Sequence, residues 1–298
     1  MKKLLLVFNP RAGREDFRAN LYEAIELFTK NGYEVTARPT FAPLEAQDIV
    51  ASRAGDFDLV VCSGGDGTLN EAVSGLMRIE NRPPLGYIPS GSTNDFASSL
   101  GLPRDILQAA AMIVNGEPRR IDAGSFNDRW FTYVAAFGLF TDVTYETPQG
   151  LKNVFGHTAY LLEGVRRLGS IQAYSCRVQT EKESFHGSFM FGMVTNSTQV
   201  AGFKMREERA VCLDDGLFEM VLVKRPRSLA DRRDIAASLS SNQLLSESLI
   251  VRKVRSVRFS AEEPISWTLD GEFGGAPKAA AIECRHRALE ILSPPVPE

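Results

Sequence analysis

The spacing of apolar residues changes period once along this chain, and that change limits the available folds more than any other feature. Up to about Asp122, short apolar runs alternate with segments of helical spacing. Leu4 to Phe8 reads as a buried strand, and Asn9-Pro10-Arg11-Ala12-Gly13 as the turn that ends it. Phe17, Leu21, Ala24, Ile25 and Phe28 recur at the spacing of a helix face, which Asn31-Gly32 closes. Tyr33 to Thr36, Leu59 to Cys62 and Leu85 to Ile88 read as further strands, with helices predicted over 44–54 and from about Thr68. Repeated βαβ units of this kind imply a mostly parallel sheet covered on both faces.

Beyond Asp122 a period of two takes over. Strands are predicted over 130–137, 172–179, 185–195 and 217–223, and Phe185, Phe189, Phe191 and Met193 share one face of the third. Two helices interrupt, over 156–168 and 228–248. The expectation is an α/β domain over residues 1–122 and a mainly antiparallel β domain over 123–298. A chain of 298 residues can bury a core in each.

Composition removes several function classes. Hydrophobic residues at 44% and charged residues at 24% exclude wholesale disorder. The formal net charge is -3, with 13 basic and 16 acidic residues up to Asp122 and 21 of each beyond. A general nucleic-acid binder needs a basic surface, so that class is set aside. Any contact with an anionic membrane must come from a local patch. Arg252, Lys253, Arg255 and Arg258 form a basic run of that kind, which also reads as a solvated edge strand. Cys62, Cys176, Cys212 and Cys284 lie too far apart for a zinc site or a disulfide framework, and read as small buried hydrophobes of a reducing compartment. The apolar run after Lys3 is too short for a signal peptide, and no stretch approaches the roughly 20 apolar residues that span a bilayer. The expectation is a cytoplasmic protein.

Ligands of open α/β sheets sit at the carboxyl ends of the strands, where loops bring backbone N–H groups to helix N-termini. Three loops fall there. They are Asn9 to Gly13, then Ser63-Gly64-Gly65-Asp66-Gly67-Thr68-Leu69-Asn70-Glu71, then Pro89-Ser90-Gly91-Ser92-Thr93-Asn94-Asp95-Phe96-Ala97. Glycines let amides approach an anion, and hydroxyls add donors. Asp66 and Asp95 beside such a cradle make sense when a divalent cation lies between carboxylate and phosphate. Taken singly, the first loop also reads as an ordinary turn and the third as a helix cap. Other signatures are missing: there is no P-loop, no protein-kinase catalytic loop, no nucleophile elbow and no zinc helix. His157, His186 and His286 are scattered. Leu213-Asp214-Asp215-Gly216-Leu217 reads alone as a turn, and Asp270-Gly271 as a hairpin signal ahead of Glu272.

The ordered set Asn9-Pro10-x-Ala12-Gly13, Gly64-Gly65-Asp66-Gly67-Thr68 and Gly91-Ser92-x-Asn94-Asp95-Phe96-Ala97 resembles the diacylglycerol kinase catalytic family, in particular its soluble bacterial lipid kinases. Asp214-Asp215-Gly216-Leu217, Asp270-Gly271-Glu272 and the segment from Lys152 to Leu168 extend the resemblance over nearly the whole chain. It implies the two-domain fold shared with NAD kinases and 6-phosphofructokinases, an α/β domain followed by a β-sandwich, with ATP in the cleft between them. It also implies that the last strand, near Ala288 to Leu292, returns to the first domain.

Carried over by position, Asn9, Pro10, Arg11, Ala12, Gly13, Thr40 and the run Gly64, Gly65, Asp66, Gly67, Thr68, Leu69 and Asn70 would hold the nucleotide, with Ser92 and Asp122. Asp66 would act through Mg²⁺, Asp95 would be a further catalytic carboxylate, and Glu272 the general base on a lipid hydroxyl. Cys212 and Leu217, through their carbonyls, would join Asp215 around a second, structural metal. Ser92 stands where the family has threonine and keeps the hydroxyl. The implied cofactors are ATP and Mg²⁺. The implied partner is a lipid alcohol at a membrane surface, met transiently, with Phe137, Leu139 and Phe140 as candidate lining and a homodimer as the family's assembly. An NAD kinase shares the Gly-Gly-Asp-Gly-Thr loop, and a silent lipid or nucleotide sensor would share the fold. Asn94-Asp95-Phe96-Ala97 favours the lipid branch over the first, and the intact carboxylates favour an enzyme over the second.

Overall fold

The computed structural model describes residues 1–12, 16–92, 94–138, 172–197, 199–200, 203–204, 212–240 and 246–295. These residues form two compact units. Met1–Ala123, Arg129–Thr132 and Arg285–Glu298 make the first, and Gly124–Asp128 with Tyr133–Cys284 the second.

The first unit opens with β1 (Lys2–Phe8), α1 (Asp16–Lys30), β2 (Tyr33–Pro39), α2 (Glu45–Arg53) and β3 (Leu59–Gly64). It continues through α3 (Asp66–Leu76), β4 (Leu85–Pro89), α4 (Asp95–Ser99) and α5 (Ile106–Asn115). Then β5 (Glu117–Phe126) contributes residues to both units, and β6 (Arg129–Phe131) belongs to the first. The strands β4, β3, β1 and β2 lie side by side and parallel. Ile291, near the end of the chain, pairs in parallel with Leu85 and extends this sheet beyond β4.

Parallel strands covered on both faces are apolar throughout, and here β3 is buried at all six positions. Leu4, Leu6 and Phe8 of β1 face one way, into a core that holds Ala24 and Phe28 of α1 and Ile106, Ala109, Ala110 and Ile113 of α5. Leu5 and Val7 are just as buried and face the other way. Each such side chain stabilises the fold by about 1.5–3 kcal/mol. The helices α2 and α3 meet closely at Gly75, where a Cβ would stand 2.6 Å from the Gln47 carbonyl and 2.8 Å from Val50 Cβ.

The second unit contains β7 (Val134–Gly138), β8 (Tyr174–Thr180), β9 (Ser184–Thr195), β10 (Gln199–Val200), β11 (Phe203–Lys204) and β12 (Phe218–Lys224). After α6 (Leu229–Ser240) come β13 (Leu249–Val254), β14 (Ser256–Ala261), β15 (Trp267–Leu269), β16 (Glu272–Gly275) and β17 (Ala279–Ser293), whose last residues belong to the first unit. Its main sheet runs β16-β15-β7-β9-β8-β14-β17, with β12 between β9 and β13. The pairings within it are antiparallel, as the period of two requires. An aromatic cluster sits under this sheet. The Trp267 ring lies 4.8 Å from Phe137, 4.9 Å from Phe259 and 5.1 Å from Phe126, centroid to centroid.

Several sequence expectations need adjustment. From Phe189 onward β9 is buried on both faces, since Met190 and Val194 are as hidden as Phe189 and Met193. The helix expected over 228–248 stops earlier: α6 ends at Ser240 and β13 has begun by Leu249. The strand β5 was hidden in the sequence by its exposed Glu117-Pro118 start. Cys62, Cys176 and Cys284 are buried as expected, but Cys212 is exposed. The helix expected over 156–168, the Lys152 to Leu168 segment, Leu139 and Phe140 lie outside the described residues. Among those described, no helix is long and apolar enough to cross a membrane.

Trp267 fills the centre of the aromatic cluster, so Trp267→Ala should cost about 3–5 kcal/mol. Urea unfolding measures it, and a loss under about 1 kcal/mol would show that the cluster collapses around the cavity.

Candidate active site

The register of the parallel sheet brings the predicted loops together. Phe8 pairs with Ser63 and Gly64 with Pro89, so the loops after β1, β3 and β4 leave the sheet at one carboxyl edge. Main-chain bonds continue the alignment past the strands, from Asn9 N to Ser63 O and from Ser90 N to Gly64 O, each at 2.9 Å. Thr40 N donates to Phe8 O at 2.9 Å, which places the end of β2 on the same edge. The Asn9 side chain accepts from Arg11 N at 2.9 Å and its carbonyl from Ala12 N at 3.1 Å, a compact Asx turn. Gly13 lies outside the described residues.

The second and third loops touch backbone to backbone. A Cβ on Gly91 would lie 2.4 Å from Gly65 Cα, so no side chain fits between them. Asn94 holds the turn. It adopts the left-handed region at φ 54°, which asparagine tolerates. Its Oδ1 accepts from Gly91 N at 3.0 Å and its Nδ2 donates to Gly91 O at 2.7 Å. Tyr87 lies beneath, with its hydroxyl 3.2 Å from Gly64 O and 3.3 Å from Asn94 Oδ1. Burial first, then the charge of Asp66, pushes the Tyr87 phenol up, so it remains a proton donor. Asp66 stands in the first turn of α3, where the helix dipole favours a carboxylate. Asp95 N donates to Asp66 Oδ2 at 3.3 Å, which joins the two acidic positions.

Other predicted residues support this edge from behind. Leu69 and Thr68 are buried, and Asn70 Nδ2 donates to Trp130 O at 3.1 Å. Arg11 and Ser92 are exposed. Asp122 lies where the last segment of the chain returns to the first unit. It is wholly buried, and its Oδ1 accepts from Arg287 N at 2.7 Å, where the backbone turns to φ 51°. Glu71 was not singled out in the sequence. Its two oxygens accept from Leu44 N at 2.8 Å and Ala46 N at 3.1 Å, tying the start of α2 to α3.

In the second unit, Leu269 pairs with Glu272 across the two-residue turn Asp270-Gly271, whose φ values of 50° and 87° are those of a type I′ hairpin. Asp270 is buried. Its Oδ1 accepts from Tyr133 N at 2.9 Å and Val134 N at 3.0 Å, while its own N donates to Val134 O at 2.8 Å. The turn is thus fixed to β7, and it presents Glu272 exposed at the start of the outermost strand. Asp270 therefore positions the predicted base, a role its hairpin signal did not disclose.

At the other acidic loop, Asp215 Oδ1 accepts from Leu217 N at 3.0 Å and Oδ2 receives Lys253 Nζ at 2.9 Å. Lys253 Nζ also lies 3.5 Å from Glu219 Oε1. The Cys212 thiol donates to Asp214 Oδ1 at 3.0 Å. Arg252 meets Glu183 at 2.5 Å and lies over the Phe185 ring at 5.7 Å. Two of the four cations in the basic run are therefore engaged by carboxylates. Among the described residues, no group of three His, Cys, Asp or Glu side chains could hold a metal ion.

The comparisons bear on the whole chain. The diacylglycerol kinase catalytic domain profile matches residues 3–126. A diacylglycerol kinase from Bacillus subtilis (strain 168) is 36% identical over 99% of this chain and 97% of its own length. One from Staphylococcus epidermidis (strain ATCC 35984) is 34% identical over 98% and 92%. A crystal structure of a diacylglycerol kinase from Bacillus anthracis str. Sterne superposes with a TM-score of 0.81 over 99% of this chain and 97% of that one. At 24% identity that match speaks for the fold alone.

Two outcomes test the geometry. Asn94→Ala leaves the Gly91 amide without its acceptor and Tyr87 with Gly64 O alone, and should cost about 1–3 kcal/mol in urea unfolding. An unchanged midpoint would remove Asn94 from its holding role. Burial pushes the Glu219 carboxyl up from 4.5 to about 6, so the folded chain binds that proton more tightly than the unfolded one. Glu219 should accordingly lower stability as pH rises from 4.5 to about 6, and Glu219→Gln should flatten that part of the profile. A slope unaltered by the substitution would contradict this.

Given full-length identity above 30% to named members and the matching catalytic-domain profile, the chain belongs to the diacylglycerol kinase family.

Proposed function

We propose that this chain transfers the γ-phosphoryl group of Mg-ATP to the hydroxyl of diacylglycerol or a related lipid alcohol. The observation that carries the reading is the contact of Gly65 with Gly91, with Asp66 and Asp95 bonded together beside it. A surface without Cβ atoms lets backbone N–H groups reach phosphate oxygens. Two carboxylates there would repel a triphosphate unless a hard cation accompanied it, and an all-oxygen donor set suits Mg²⁺. The residues therefore fit Mg-ATP. When bound, the ion neutralises charge on the β- and γ-phosphate oxygens.

The remaining roles fall to the chain itself. Asn9 to Ala12, Thr40 and the Gly64 to Asn70 loop hold the nucleotide, and Ser92 adds a hydroxyl at the third loop. Asp66 and Asp95 orient the metal side of the triphosphate. Glu272 accepts the proton of the lipid hydroxyl as its oxygen bonds to the γ-phosphorus and the bond to ADP breaks. Asp270 keeps the base in place, because its carboxylate fixes the turn to β7. A lipid acceptor requires contact with a membrane surface, and the exposed aromatic Phe273 stands next to Glu272.

The test is transfer of label from γ-labelled ATP to detergent-dispersed diacylglycerol, with NAD supplied separately. Glu272→Gln and Asp66→Ala should each lower turnover by roughly 10²-fold or more in a protein that still unfolds cooperatively. Near-normal rates in both variants would sink the assignment of roles. Label in NAD would move the chain to the sister activity, and ATP binding without transfer to any acceptor would make it a sensor.

A further inference from the structure

The acidic loop at Asp215 combines with a feature that its resemblance to a metal site does not contain. Glu219 of β12 and Lys253 of β13 are direct partners across an antiparallel pair. From there Lys253 reaches both Asp215 Oδ2, at 2.9 Å, and Glu219 Oε1, at 3.5 Å. Glu219 is only 7% exposed, and its second oxygen, Oε2, has no hydrogen-bond partner among the described residues. A buried carboxylate of this kind depends on a nearby positive charge.

We propose that this loop carries its own cation, the Lys253 ammonium standing where a divalent ion would otherwise join Asp215 to the carbonyls of Cys212 and Leu217. The residues present do not fit a metal in this arrangement. Both Asp215 oxygens are already engaged, one by Leu217 N and the other by Lys253. Mg²⁺ requires about six oxygen ligands at roughly 2.1 Å, and of the loop's two carboxylates Asp214 accepts from the Cys212 thiol while Asp215 already holds an ammonium. A second cation brought to that carboxylate would meet the first at close range and be repelled. The β12–β13 pair therefore supplies, in the chain itself, the charge that ties the loop down. The inference does not depend on the lipid kinase reading, and its test needs no activity.

Thermal unfolding without nucleotide tests it, in EDTA and in excess Mg²⁺, using Asp66→Asn as the background so that an ion near the nucleotide loops does not count. The melting temperature should differ by less than ~2 °C between the two conditions, with or without Asp215→Asn. A fall of several degrees on chelation that Asp215→Asn abolishes would show a metal on the loop and overturn the proposal. Lys253→Met in the same background should melt several degrees lower in EDTA and recover with Mg²⁺, since the two carboxylates then need another cation. Melting unchanged by Lys253→Met would also overturn it, because the ammonium would then tie nothing. Lys253→Arg keeps the charge and should stay insensitive to chelation, which preserves the test where the methionine variant fails to fold.

Discussion

The approach of Gly65 to Gly91 is the constraint on which the carboxyl edge of the parallel sheet, the proposed nucleotide edge, depends. Two adjacent parallel strands end in register, and the loops that follow diverge unless something holds them. Here the holding is done from within: a missing Cβ on each side, a Tyr87 hydroxyl shared between Gly64 and Asn94, and an asparagine in a left-handed turn that bonds both main-chain groups of Gly91. The bonds are individually modest, about 1 kcal/mol each, but they lie in a buried setting where an unsatisfied partner costs more than a bond gains. The loops are consequently set before any ligand arrives, and preorganised amides need no rearrangement as charge develops.

The second unit solves a different problem, that of presenting one exposed carboxylate on a rigid support. Trp267 anchors β15 in the aromatic cluster, Leu269 closes the strand, and Asp270 accepts from the Tyr133 and Val134 amides where β7 begins. Only then does the chain turn through Gly271 to Glu272. The proposed base has to be accessible to meet a substrate, whereas the residue that holds its turn is buried. Asp270 and Glu272 are neighbours in a short motif and yet take opposite solvent environments for that reason.

Charge distribution follows the same division. The acidic positions of the first unit sit where glycine loops and a helix N-terminus invite a polyanion and its cation. Those of the second unit, Asp215 and Glu219, are met by a lysine from the facing strand. In the proposed reading, similar carboxylates of one chain have different counter-charges, one brought by a ligand and one built into the sheet.

The sequence by itself determined the class of fold and the identity of the loops. Apolar runs of Leu4 to Phe8 and Leu59 to Cys62 specify parallel strands because both faces are covered, and the glycines at 65 and 91 mark where backbone comes close. Glu272 stood out only through the family resemblance, since Asp270-Gly271 alone reads as a hairpin signal. What the sequence could not convey was any relation that depends on residues far apart in the chain. That Asp122 accepts from Arg287 N is not legible in the sequence, and Lys253 reads as part of a basic run until its register opposite Glu219 is known. Tyr87 reads as an ordinary strand residue until two loops meet over its hydroxyl. Local patterns follow from the periodicity of helices and strands, which neighbouring residues encode. The partner of a buried polar group is chosen by sheet register and loop packing, and only the tertiary structure decides those.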